Sequence, residues 1–350
     1  MKKFPIIAFV IVFTATLAIT GIDGSFAAEK KEKQLTKVMV GCSPLAVVLP
    51  VFAAKEKGWF EEEGIDVDIK MFQNSTRDIL PLIANNTLDA GKGGLNAGYF
   101  NGILQGLKMK LVGSEGTNFN AFSILISKKL YSGTIEGLTA EHIKGQTFAI
   151  PMKGYPQEIT IERFLNKYGL TWADVNMVTM SWANMFAGLS NGTLFGAAQA
   201  EPFRTMAIKN NDVLEMEKAQ TLTPDQQGGA LFFSENFCKN EKAATAFMVG
   251  FIKGTRYTKD WENGNGNDTE VFAILQKYTA IKDISEVKGL DLGLKDPDAG
   301  LNVKGIMEDL KWYKEKGYIP AIPAQDEIVD LRFVKAALKK TGKYKTGENK

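Results

Sequence analysis

Four short stretches carry small, polar and aromatic residues at points where a strand would hand over to a helix. They are Cys42-Ser43-Pro44-Leu45-Ala46, Gly93-Gly94-Leu95-Asn96, Met152-Lys153-Gly154-Tyr155-Pro156-Gln157 and Ser181-Trp182-Ala183-Asn184. The chemistry on offer is grip rather than bond-making. Helix N-termini present unpaired amides and a positive dipole end, which suit carboxylate, sulfonate and similar anions. Gly93, Gly94 and Gly154 let backbone approach a ligand closely. Ser43, Asn96, Gln157 and Asn184 supply directional hydrogen bonds, and Lys153 supplies a charge. Tyr155 and Trp182 offer flat walls for an aromatic or alkyl body. Each residue also has a plainer reading: Ser43 and Asn96 as helix caps, Lys153 as a solvated lysine, Tyr155 and Trp182 as ordinary packing.

Residues for covalent or metal chemistry are sparse. The one histidine, His142, sits in Thr139-Ala-Glu-His-Ile, which reads as a short surface helix. No CxxC, HExxH, GxGxxG or GxSxG pattern occurs. The two cysteines, Cys42 and Cys238, read equally as a disulfide or as two partly buried free thiols. No cofactor and no metal are expected.

The elements that would position these loops alternate as βαβ units. Strands are expected at 37–41, 65–71, 88–91 and 109–113, with helices at 50–57, about 75–85 and 96–104. Pro50 suits position N1 of the first helix, and Gly58 its C′ position. The pattern then repeats, with strands at 147–151, 175–180 and 194–198 and helices at 156–168, 184–190 and 205–210. Asn85-Asn-Thr-Leu-Asp-Ala90 matches Asn191-Gly-Thr-Leu-Phe-Gly196, and Asp66-Val-Asp-Ile matches Asp174-Val-Asn-Met. Two copies of one plan imply two similar lobes facing each other. A strand at 229–234 can return to the first lobe. A long amphipathic helix at 239–260, a loop at 261–268 and helices at 269–279, 303–316 and 325–339 follow.

The chain has 350 residues, of which 45% are hydrophobic, enough for two domains with full cores. Lys and Arg number 42 against 40 Asp and Glu, without the concentrated basic excess of a nucleic-acid binder. The Lys-rich ends read as solvated tails. Met1-Lys2-Lys3, the charge-free run Phe4–Thr20 and Ser25-Phe26-Ala27 read as a cleavable export signal over 1–27. The competing reading is a membrane anchor. Residues 28–36 are polar and expected to be disordered. Neither cysteine stands where a lipid would attach, so the expected compartment is the periplasm.

Several segments carry a resemblance. Pro50-Val-Phe-Ala-Ala-Lys-Glu-Lys-Gly-Trp-Phe-Glu-Glu-Glu-Gly-Ile-Asp-Val resembles the first-lobe segment of the nitrate/sulfonate/taurine and pyrimidine-precursor (NMT1/THI5-like) solute-binding proteins of ABC transporters. Ile143-Lys-Gly-Gln-Thr-Phe-Ala-Ile-Pro, Tyr168-Gly-Leu-Thr-Trp-Ala-Asp-Val and Glu201-Pro-Phe fit the same pattern. Phe195 departs from it, standing where the family commonly has an acidic residue like Asp89. The resemblance implies an α/β fold of the type II periplasmic binding protein class. In it two βαβ lobes, joined by two crossovers near 119–123 and 227–231, enclose a ligand cleft. The first lobe would be 34–120 plus 230–350 and the second 121–229. Asn118 and Phe119 then lie near the hinge, within reach of a ligand. Glu201 either accepts from a cationic group or orders its own loop.

The expected function is capture of a small, anionic organic solute by lobe closure, without catalysis. The protein, a monomer, then delivers the solute to a permease and its ATPase, touching the membrane only through them. The competing readings are an exported sensor and a pyrimidine-precursor synthase of the THI5 type. The synthase requires a cysteine-rich iron motif and active-site histidines.

Overall fold

A computed structural model describes residues 34–73, 76–117, 122–224, 226–293 and 296–345. The export-signal segment, Asn118 and Phe119 lie outside them. Among the described residues there are ten strands: β1 (Thr36–Cys42), β2 (Ile65–Met71), β3 (Ala90–Gly94), β4 (Met109–Thr117), β5 (Phe122–Ser127), β6 (Thr147–Ile150), β7 (Asn176–Thr179), β8 (Gly196–Ala200), β9 (Val213–Lys218) and β10 (Gln227–Ser234). They form two five-stranded sheets, ordered β2-β1-β3-β10-β4 and β7-β6-β8-β5-β9.

The two sheets follow one plan. In the first, β1 runs parallel to β2 and β3, while β10 lies antiparallel between β3 and β4. In the second, β6 runs parallel to β7 and β8, while β5 lies antiparallel between β8 and β9. The internal repeat extends to single residues. Asn86 and Gly192 occupy the same step of the matching segments, and both hold left-handed backbone, φ 62° and 81°. Thr87 N donates to Asn85 Oδ1 at 3.0 Å, and Thr193 N to Asn191 Oδ1 at 2.9 Å. One copy then diverges. Asp89 Oδ2 accepts from Met39 N at 2.8 Å, and burial pushes that carboxyl above its usual range. Phe195 replaces it with a ring packed edge-on against Phe148, 5.6 Å between centroids.

Helices α1 (Leu49–Glu56), α2 (Thr76–Ala84), α3 (Ala97–Leu104), α4 (Pro156–Lys167), α5 (Trp182–Asn191) and α6 (Phe203–Lys209) follow their strands in βα order. Proline enters α1 and α4 in the first turn, where no amide is needed, and Gly58 leaves α1 at φ 73°. The C-terminal part supplies α7 (Glu241–Asp260), α8 (Asp268–Tyr278), α9 (Val303–Glu315) and α10 (Arg332–Thr341). Buried α7 packs Phe247 against Phe60 of the first-sheet side, centroids 4.9 Å apart.

Several expectations need correction. Strands β5 and β9 were not foreseen. The long helix begins at Glu241, because Asn240 accepts from Ala243 N and caps it. The stretch 261–268 is not all loop: a π-turn at Trp261–Asn265 prolongs α7 until Gly264 turns left-handed. The helix over 325–339 is two, Gln325–Ile328 and α10. Val329 between them is extended and bridges Leu111 of β4. Cys42 and Cys238 are both buried thiols, with no disulfide between them.

Candidate functional site

The carboxyl ends of the parallel strands in both sheets deliver their loops to one seam. Cys42 ends β1, fully buried, followed by buried Ser43 and half-buried Pro44. Gly94 ends β3, and Asn96 caps α3 by accepting from Tyr99 N at 3.1 Å. Opposite them, β6 ends in the Lys153-Gly154-Tyr155 turn that opens α4.

Main chain meets main chain across this seam. Ala97 N, at the start of α3, donates to Gly154 O at 2.9 Å. Ala46 N donates to Glu201 O at 3.2 Å. The Thr76 and Tyr155 hydroxyls lie 3.0 Å apart, and Thr76 Oγ1 also donates to Gly94 O at 3.0 Å. Two of the amides expected to stand open for an anion are thus engaged by carbonyls of the facing side, because the two sheets approach closely enough for direct contact. The glycines make this approach feasible. A Cβ on Gly94 would fall 2.4 Å from Tyr155 Oη, and one on Gly154, held at φ +69°, 2.7 Å from Ala97 Cβ.

The side chains divide into committed and open groups. Glu201 is fully buried and both its oxygens are taken. Arg204 Nη1 donates to Oε1 at 2.8 Å, Thr205 Oγ1 to the same atom at 2.9 Å, and Thr205 N to Oε2 at 3.1 Å. Burial pushes its carboxyl up, against the pull of Arg204. Glu201 therefore orders its own loop. Lys153 and Asn184 are exposed, and Asn184 contributes its amide to the Ser181 cap at 3.3 Å. Tyr155, Gln157 and Trp182 are buried, 2%, 2% and 3% exposed. Trp182 lies against Phe122 at 5.7 Å between centroids, and its carbonyl accepts from Gln199 Nε2 at 3.1 Å. Trp182 Nε1 and Gln157 Oε1 are buried without a hydrogen-bond partner among the described residues. One unspent donor and one unspent acceptor thus remain in the buried wall.

Sequence reasoning missed three supporting residues. Glu158 Oε2 accepts from Gly154 N at 2.7 Å and so shapes the turn that reaches Ala97. Its position four residues after the glycine was the available signal. Arg204 joins Glu201 to Ser123 Oγ and Glu215, at 2.8 and 2.7 Å from Nε. Lys92 is fully buried and donates through Nζ to Val47 O, behind the first loop; only its place inside a Gly-rich strand marked it. His142 lies elsewhere, its Nδ1 accepting from Thr139 N at 3.2 Å in a capping box. Among the described residues no group of three or more His, Cys, Asp or Glu side chains could hold a metal. None of their helices is long and apolar enough to cross a membrane.

Known proteins resemble this chain in sequence and in fold. A Bacillus subtilis (strain 168) protein named as an aliphatic sulfonates-binding protein is 28% identical over 350 residues, covering 97% of this chain and 97% of that one. YtlA of the same organism is 26% identical over 172 residues, 48% of this chain. The match covers 50% of YtlA, so the chain spans about half that relative's length. Among solved structures, the periplasmic nitrate-binding protein NrtA from Synechocystis PCC 6803 superposes with a TM-score of 0.71 at 16% identity. That match covers 88% of this chain and 90% of NrtA, a likeness of fold. It bears out the expected α/β periplasmic binding protein class. The NMT1-like family model matches residues 31–275, a stretch holding all ten strands and every loop described above. The chain belongs to the NMT1-like family.

Proposed function

We propose that the protein is the periplasmic solute-binding component of an ABC importer, closing two lobes on a small organic oxyanion and presenting it to a permease and its ATPase. The lobes would be 34–120 with 230–350, and 121–229. The observation that carries this reading is the hydrogen bond from Ala97 N to Gly154 O. It joins loops from two separate sheets, so a solute held between them stabilises the closed form by its differential affinity.

An oxyanion suits the donors. The buried Trp182 indole N–H has no acceptor among the described residues and stands ready for one. Phe122 and Trp182 supply an apolar wall for the organic body. The names of two relatives, for aliphatic sulfonates and for nitrate, point to the same charge class. Binding rather than catalysis fits the side chains. Glu201 is spent on Arg204 and Thr205, and His142 caps a surface helix. The segment 1–27 would direct export and be removed.

The test is thermal unfolding of the mature chain against alkanesulfonates, carboxylates and nitrate, with sugars and cations as controls. A rise in Tm with at least one oxyanion is expected. A rise with sugars or cations alone would overturn the solute class.

A further inference from the structure

Away from the loops, a second seam joins the two sides. It runs between α4 and α9. Trp312 Nε1 donates to Glu162 Oε2 at 2.7 Å, and Lys316 pairs with the same carboxylate. Tyr318 Oη donates to Glu158 Oε1 at 2.5 Å, the residue whose other oxygen holds Gly154 N. The seam therefore reports directly to the binding turn.

Inside it lies a cavity of about 140 Å³, lined by Ile159 and Arg163 of α4, Asp309 and Trp312 of α9, and Thr223 and Gln226 of the chain leading into β10. Gln226 Nε2 donates to Asp309 Oδ1 at 3.2 Å. Asp309 Oδ2 and Gln226 Oε1 are both buried and have no partner among the described residues. Two acceptors on one small cavity leave an ionised carboxylate poorly solvated. A protonated one supplies the missing donor.

The surrounding charges do not remove the problem. Arg163 favours the ionised form, but its Nη1 is bonded to Leu222 O at 3.1 Å. Glu308, on the same helix, opposes ionisation. Glu162 and Glu158 are committed as described, and Tyr313 is a buried neutral phenol. Thr223, Pro224 and Gln226 bring no titratable group; Asp225 lies outside the described residues. Burial dominates and pushes the Asp309 carboxyl up to about 7.

We propose that closing the two lobes binds a proton at Asp309. The inference rests on the closing-lobe reading above. Parting α4 from α9 returns the carboxyl to water, where an aspartate titrates at about 4. The closed state then holds the proton more tightly. Between about 4 and 7 the ratio of closed to open molecules rises as pH falls, by up to about tenfold per unit, and it levels off above 7.

Small-angle scattering of the ligand-free mature chain from pH 5 to 8.5 tests this. The radius of gyration is expected to be smallest at pH 5 and to grow towards 7 in the wild type. In Asp309→Asn, which mimics the protonated side chain, it should keep its acid value throughout. Arg163→Gln removes the cation that favours ionisation and should move the midpoint upward. A wild-type radius independent of pH, or an Asp309→Asn curve that follows the wild type, overturns the proposal. The solute reading is scored separately, by adding methanesulfonate or nitrate. Compaction by either solute with no response to pH would sink the proton step alone.

Discussion

Gly154 and Ala97 stand so close across the seam that a methyl group on the first would meet the methyl of the second at 2.7 Å. Their main chains are also hydrogen-bonded, and Gly154 holds the left-handed φ of +69° that glycine alone adopts without cost. Gly154→Ala therefore meets both backbone strain, about 1–2 kcal/mol, and a steric block to closure. A modest fall in Tm is expected, together with a loss of solute affinity of about tenfold or more. Adding Ala97→Gly should restore part of the affinity and little of the Tm. Equal recovery of both would mean that the clash has nothing to do with binding.

Trp182→Phe separates the indole N–H from the ring. The ring's packing on Phe122 is largely kept, so Tm should change little. Affinity for an oxyanion should fall about tenfold, as expected for one hydrogen bond of roughly 1–1.5 kcal/mol. Trp182→Ala, by contrast, empties a buried site and should cost about 3–5 kcal/mol of stability. Titration calorimetry beside denaturant unfolding distinguishes the two. Unchanged affinity in Trp182→Phe removes the indole from the site.

Arg204→Met leaves the Glu201 carboxyl buried without its cation. A loss of about 3–5 kcal/mol at pH 7 is expected. The folded-state carboxyl, already raised by burial, would rise further, so the folded protein would bind the proton more tightly than the unfolded chain. The variant should therefore regain stability as pH falls from 7 towards 5. Urea unfolding at both values checks the sign, and a cost that is the same at each contradicts the account.

The thiols should be inert in the native protein. Both are buried, and burial pushes the Cys238 thiol up to about 12. A disulfide-exchange reagent should release two equivalents in guanidinium and almost none in buffer. Rapid native labelling of either cysteine would place it at an open surface.

The βα order was legible because parallel strands and their helices leave strong marks: apolar runs, Pro50 and Pro156 at helix starts, Gly58 at an end. Even the matched Asn86 and Gly192 turns show in the sequence. What escaped were the strands on either side of the switch to antiparallel pairing. Phe122–Ser127 is buried at all six positions, so it shows no alternation, and it follows a crossover rather than a helix. Val213–Lys218 mixes charge into an edge strand and reads as polar surface. Within the site, Asn96 was legible as a cap. The acceptors that meet Ala46 and Ala97 were not, because they are carbonyls of Glu201 and Gly154, and a main-chain oxygen carries no residue type.

The five strands of the second sheet are consecutive in the chain, from 122 to 218, whereas the first sheet needs β10 at 227–234 to fill the gap between β3 and β4. A chain emerging N-terminus first can thus complete the later sheet before the earlier one. Until residue 234 arrives, β3 and β4 have no neighbour between them and present bare edges. Cutting the gene anywhere between β5 and β9 would leave both sheets short of strands, whereas an N-terminal fragment ending between 218 and 227 would hold every strand of the second sheet and lack only β10 of the first.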